Sequence, residues 1–178
     1  MEDRTRTIPG KYAILTMLVL GVAAAAYSQF YYARLQRRPI ELWGGYNAQL
    51  MMNAPLVNAM LLAPTVDKAS AAHLERLMVG GEHLSVLAEK DVTNQPGFSH
   101  VRQSLVNDAS FDWSGPDKNC KPEWKYGLEF SNGEHTALLL IAPKCGLARL
   151  TDTGATGAMQ PVMPGIERFL REQFPEKQ

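Results

Sequence analysis

The chain has 178 residues with 18 basic and 18 acidic side chains, so its formal net charge at pH 7 is zero. The charges are unevenly placed: residues 1–38 hold six basic and two acidic side chains, and residues 39–178 hold 12 basic and 16 acidic ones. A mildly acidic C-terminal part lacks the clustered Lys and Arg that phosphate-backbone binding requires. We therefore expect no nucleic-acid partner.

The N-terminal part contains an uncharged run of 22 residues at positions 12–33. A helix needs about 20 apolar residues to cross a hydrocarbon core of ~30 Å. Aromatic residues, which favour the headgroup region, lie at both ends of the run: Tyr12 at one end and Tyr27, Phe30, Tyr31 and Tyr32 at the other. We predict a basic flank at 1–11 and a transmembrane anchor at 12–33, with membrane lipid as its partner.

Two other interpretations of this run remain open. A cleaved signal peptide would use Ala24-Ala25-Ala26 as an A-x-A site and leave a mature N-terminus near Tyr27. A core helix is the third interpretation, although few core helices are apolar on every side for six turns.

The orientation of the anchor is not decided by charge. Three basic residues lie on each side of the run (Arg4, Arg6 and Lys11 before it, Arg34, Arg37 and Arg38 after it), so the positive-inside rule gives a tie. The signal-like layout favours a single-pass protein in the cell membrane with an extracytoplasmic C-terminal domain. The alternative is a secreted or periplasmic protein after cleavage near Tyr27.

Residues 34–42 are interpreted as a juxtamembrane linker, and residues 43–178 as a single α+β domain. A short helix is expected at 43–53 before Pro55, followed by a strand at 56–62. Strands at 74–79 and 83–88 would meet at Gly80-Gly81. Asn94-Gln95-Pro96 would start a helix with Phe98, Val101, Leu105 and Val106 inward and His100, Arg102, Gln103 and Asn107 in water. A loop rich in turn-forming residues is expected at 112–122.

The second half predicts a hairpin of strands 124–130 and 135–142, closed by Asn132-Gly133. A strand at 146–150, a flexible segment at 152–161 and a helix from Pro164 follow. That helix would bury Ile166, Phe169, Leu170 and Phe174. The fold expected is an antiparallel sheet of about five or six strands with two or three packing helices.

The two cysteines are predicted to pair. A two-residue hairpin at Asn132-Gly133 places Ser131 opposite Glu134, and the same register places Cys120 opposite Cys145. Opposite residues have Cβ atoms ~4.5 to 5.5 Å apart, close to disulfide range. The register also places Trp124, Tyr126, Leu128 and Phe130 on one face and Leu138 and Leu140 on the other. Two buried thiols are the alternative to a Cys120–Cys145 disulfide.

Two short motifs resemble known sites and are interpreted as turns. Asp152-Thr153-Gly154 resembles the active-site turn of retroviral-type aspartic proteases, but only 24 residues follow Gly154, too few for the rest of that fold. Gly80-Gly81-Glu82-His83-Leu84 resembles the glycine-rich hairpin of diguanylate cyclases and departs from it at the fourth and fifth positions.

No catalytic motif emerges, so the catalytic residues stay unknown and no cofactor or metal is expected. His73, His83, His100 and His135 do not stand at ligand spacing. We expect a membrane-tethered, non-enzymatic interaction or accessory domain with a protein partner. The alternative is a membrane-anchored or exported enzyme, such as a hydrolase. A polar cleft around His100, Asp108 and Asp112 would favour the enzyme, whereas a bare apolar patch within residues 43–62 would favour the interaction domain.

Overall fold

The computed structural model describes residues 10–64, 76–79 and 82–175, and the side chains of 12–31, 37–63 and 84–175. The chain divides into two compact units, Met1–Leu35 and Gln36–Gln178. The first unit contains most of helix α1 (Gly10–Trp43), whose residues from 36 onward belong to the second unit. The expected linker at 34–42 is therefore helical.

The first unit presents an apolar helix. Tyr12–Tyr31 has a mean hydropathy of 1.7, and none of it is buried. By length and composition this segment is able to cross a membrane. Its apolar side chains point outward on every side, which differs from a core helix that packs within a soluble domain.

The second unit confirms the predicted α+β class. Within the described residues its sheet has seven strands: β1 (Leu56–Pro64), β2 (Arg76–Val79), β3 (Glu82–Asp91), β4 (Tyr126–Ser131), β5 (Thr136–Ala142), β6 (Leu147–Leu150) and β7 (Thr156–Ala158). The strand order is β2-β3-β1-β4-β5-β6-β7, and each neighbouring pair is antiparallel. In the part of the chain that the structure describes, three further α-helices belong to the domain: α2 (Gly45–Asn53), α3 (Phe98–Ser104) and α4 (Met163–Gln173).

The helices pack on one face of the sheet. The larger core cluster joins Trp43, Met51, Phe98, Ile166 and Leu170 of the helices to strand residues, which are Val57, Ala59, Tyr126, Leu128, Phe130, Ala137, Leu139, Ile141, Ala148 and Leu150. A second cluster on the opposite face contains Met60, Leu62, Leu84, Val86, Leu138, Leu140 and Leu147. Both faces of β5 are therefore apolar, as its nearly continuous hydrophobic sequence indicates.

The last turns of α1 form part of the domain core. Pro39 lies inside the helix, and Trp43 is fully buried, with its indole Nε1 donating a hydrogen bond of 2.8 Å to the carbonyl of Leu105. The domain thus begins before residue 43, because Ile40 and Leu42 also pack against the core.

The hairpin at Asn132-Gly133 forms with a different register from the predicted one. Ser131 pairs with Thr136 instead of Glu134, so the connection has four residues. The side chain of Asn132 explains the wider loop, since its Oδ1 accepts hydrogen bonds from the backbone N of Glu134 (3.1 Å) and of His135 (2.8 Å). A shift of two residues keeps the side chains of the paired parts of β4 and β5 on their predicted faces.

Trp124 is an exception to the predicted faces. It belongs to the second cluster, with Cys145 and Leu147, because the paired part of β4 begins only at Tyr126.

The segment 152–161, expected to be flexible, contributes β7 and the buried Met159.

Cys120 and Cys145 are joined in a disulfide with a Cα–Cα distance of 5.7 Å. The hairpin register does not bring them together, since in the observed pairing Cys145 would face Pro122. Both cysteines lie outside the paired strands, and the chain turns at Pro143–Cys145 before Gly146, which has a φ of 62°. This turn carries Cys145 to the loop that holds Cys120.

Arg102 also departs from its expected place in water. Its side chain is half-buried, and its guanidinium donates to the carbonyls of Met52 (2.8 Å) and Ala54 (3.0 Å) at the C-terminal end of α2. The guanidinium also lies over the Phe98 ring, 5.1 Å from its centroid. A cation at this helix end satisfies carbonyls that have no partner within the helix.

Candidate functional site

A groove with a volume of about 620 Å³ lies between α3 and α4. Val101, Ile166 and Phe169 are buried and form its floor. Exposed polar side chains stand at its rim: His100 on α3, and Arg168 and Glu172 on α4. A groove of this size and mixed lining is able to receive an apolar group flanked by polar ones.

The residues of the hypothetical catalytic cluster do not share this groove. His100 lines it, whereas Asp108 and Asp112 do not. Asp112 Oδ1 accepts hydrogen bonds from the hydroxyl (2.6 Å) and the backbone N (3.0 Å) of Ser114, which lower the pKa of its carboxyl. These bonds build a local turn, so the carboxylate has a structural use.

Ser104 is a hydroxyl one helical turn from His100 along the groove. Its Oγ donates a hydrogen bond of 2.7 Å to the carbonyl of Val101. A nucleophilic serine instead donates to a base within hydrogen-bond reach. The Ser104 hydroxyl is therefore used by its own helix.

The two short motifs that resemble known sites lie at connections between elements of the fold. Thr151–Thr153 forms a turn that ends at Gly154, with φ of 71°, and Asp152 is exposed there. Gly80 and Gly81, like His73, lie outside the described residues, although Val79 and Glu82 pair across the connection. Among the described residues, no group of three or more His, Cys, Asp or Glu side chains is placed to hold a metal ion.

The segment 43–62 does not form a bare apolar patch. Its large side chains Trp43, Leu50, Met51, Val57, Met60 and Leu62 are buried, and Tyr46 and Leu56 are its exposed hydrophobic residues. Tyr46 packs edge-on against the His135 ring with the centroids 5.1 Å apart. The methionines of this segment therefore fill the core.

A second surface feature joins distant parts of the sequence. The guanidinium of Arg38, in the last turns of α1, lies 5.7 Å from the ring centroid of Trp113. Trp113 stacks on Phe111, with centroids 5.1 Å apart, and is 40% exposed. We refer to Arg38 and Trp113 together as the Arg38–Trp113 pair.

Sequence reasoning missed the groove and the Arg38–Trp113 pair. The groove could have been found, since the apolar faces of α3 and α4 were predicted and a proline, Pro96 or Pro164, marks the start of each segment. The pair had no local signal, because Trp113 falls in the segment 112–122, which was interpreted as a loop rich in turn-forming residues. Only the tertiary fold brings it beside α1.

The comparisons with known proteins give no relative for this chain: it matches no protein-family model, and neither the search of curated proteins nor the search of solved structures found a significant match. The apolar N-terminal helix and the disulfide fit a protein that is membrane-anchored or exported.

Proposed function

We propose that this chain is a single-pass, membrane-tethered accessory protein whose folded domain engages a protein partner without catalysis. The observation that carries the proposal is the apolar segment Tyr12–Tyr31, none of which is buried. Such a surface is unfavourable in water by roughly 25 cal/mol for each Å² of apolar area. A lipid bilayer removes that cost, and the remaining domain then acts at the membrane surface.

The proposed topology places the N-terminus in the cytoplasm and the domain outside it, with residues 12–33 as an uncleaved signal-anchor. The Cys120–Cys145 disulfide supports this orientation, because disulfides persist in oxidising compartments and are rare in the cytosol. Cleavage near Tyr27 would instead give a secreted or periplasmic domain.

The groove chemistry supports binding over catalysis. Its floor is apolar, its rim is polar, and the Ser104 hydroxyl is committed to the carbonyl of Val101. An exported hydrolase remains the second candidate, because His100 and Ser104 line one groove. In that case H100A and S104A would each abolish a hydrolytic activity of the purified chain.

Cross-linking in intact membranes, followed by capture on a C-terminal tag, tests the proposal. We expect one or a few proteins in near-stoichiometric yield with the full chain. A control truncated after residue 35 keeps the span and lacks the domain, so it should lose them. Recovery of the full chain alone, or of the same proteins with the control, would contradict a domain that engages a partner.

A further inference from the structure

We propose that the Arg38–Trp113 pair lies in the phospholipid headgroup region and holds the folded domain against the bilayer. The inference rests on the membrane anchor of the proposed function and adds a second contact with the lipid. Its ligand is a phospholipid surface, contacted by an indole ring and a guanidinium.

The chain length places this pair close to the membrane. The apolar span ends at Tyr31, and Arg38 follows it by seven residues. Seven residues cover at most about 25 Å even when fully extended. Trp113 is remote in sequence, but its ring centroid lies 5.7 Å from the Arg38 guanidinium, so it is also close to the end of the apolar span.

The exposure of Trp113 sets it apart from the other two tryptophans. Trp43 is fully buried and Trp124 is 7% exposed, whereas Trp113 is 40% exposed. Its Nε1 donates a hydrogen bond of 3.2 Å to the carbonyl of Asp108, and its ring stacks on Phe111. An indole that is held in place and partly exposed suits the boundary between water and lipid, where tryptophan is enriched.

The charges around the pair indicate which lipid it meets. Arg37 pairs with Glu41 through Nε and Oε1 at 2.8 Å, and Asp112 stands next to Trp113. Among the described side chains, the surface around the pair therefore carries both signs, which suits a headgroup that also carries both signs. A zwitterionic headgroup satisfies it, since the Arg38 guanidinium is able to donate to a phosphate while the indole lies at the acyl boundary.

Fluorescence quenching in phosphatidylcholine nanodiscs tests the contact. The full chain is reconstituted with lipids brominated near the headgroup end of the acyl chains, and tryptophan emission is compared with that in unbrominated lipid. We expect clear quenching in the wild type and loss of most of it in W113F. W124F is the matched control, because Trp124 lies in the second core cluster, and it should retain the quenching.

Equal quenching in the wild type and W113F would overturn the proposal. W113Y provides the same readout if W113F fails to give a cooperative thermal transition. Carbonate extraction separates this result from the anchor: a chain that stays in the membrane but shows no Trp113 quenching keeps the proposed function and loses the headgroup contact. A chain that extracts as a soluble protein loses both.

Discussion

At the scale of single residues, Gly157 shows how closely α1 packs on the sheet edge. A Cβ at this position of β7 would lie 2.8 Å from Cε1 of Phe111 and 3.1 Å from both Leu42 Cδ2 and Trp43 Cη2. These neighbours include buried rings that cannot move independently of the core. The absence of a side chain at Gly157 therefore allows the last turn of α1 to enter the domain.

We expect G157A to destabilise the domain by about 1 to 3 kcal/mol, the usual cost of overpacking a core. Thermal unfolding of the full chain in nanodiscs measures the effect. G45A is the matched control, since a Cβ at Gly45 meets nothing within 4 Å. An unchanged transition for G157A would show that α1 does not approach β7 in solution.

Arg102 links α3 to α2 through side-chain hydrogen bonds. Replacing it with Met removes the guanidinium, and with it the contact over the Phe98 ring and two hydrogen bonds to the carbonyls of Met52 and Ala54. Because the guanidinium is half-exposed, water replaces part of what is lost, and we expect R102M to cost about 1 to 2 kcal/mol. R171M, on an exposed position of α4, should change the unfolding free energy by less than ~0.5 kcal/mol. Equal effects of the two variants would refute the capping role.

At the scale of elements, the apolar pattern predicted most helices and strands, because each buries one regular face. The last helix is the clearest case, with Ile166, Phe169 and Leu170 buried as predicted. Phe174, which was also predicted to be buried, is half-buried just after the helix ends at Gln173. The pattern did not predict the loop length at Asn132. The Asn132 side chain sets the loop length, because it accepts two backbone hydrogen bonds, and a hydrophobic pattern does not predict such bonds.

The α4 helix should be essential to the domain. Phe169 packs against Phe98 of α3 with the ring centroids 5.9 Å apart. Truncating a core phenylalanine typically costs ~3 to 5 kcal/mol, so F169A should lower the melting temperature by many degrees. R171A is the surface control on the same helix. If F169A melts like the wild type, α4 is not part of the core in solution.

At the scale of the whole molecule, the disulfide joins the loop before β4 to the turn between β5 and β6. The bridge spans a sequence separation of 25 residues. Closing a loop of this size stabilises a fold by roughly 3 kcal/mol in the chain-entropy model. Reduction should therefore lower the melting temperature of the wild type.

A C120A/C145A double variant is the control for this prediction, because its transition should not respond to reductant. Non-reducing peptide mapping under alkylating conditions should recover the Cys120–Cys145 peptide pair. Two free, alkylated cysteines would contradict the disulfide and weaken the case for an extracytoplasmic domain.

The sequence predicted the class of fold, the antiparallel hairpins and the apolar span, since all three follow from local periodicity and turn residues. It did not predict the groove rim or the Arg38–Trp113 pair, because those depend on elements far apart in the chain. The pairing of Cys120 with Cys145 was predicted from a register that the structure corrects. Their proximity comes from the turn at Pro143–Cys145 instead.

In the proposed function, residues 12–33 hold the intact chain in a membrane. Cell fractionation followed by an alkaline carbonate wash tests it, with an L18R/V22R variant as control, because each arginine near the centre of a span costs ~2.5 to 3.5 kcal/mol on insertion scales. We predict that the full-length wild type stays in the washed membranes and that the control is depleted from them. Full-length wild type in the supernatant, or a mature chain that begins at Tyr27, would contradict the account.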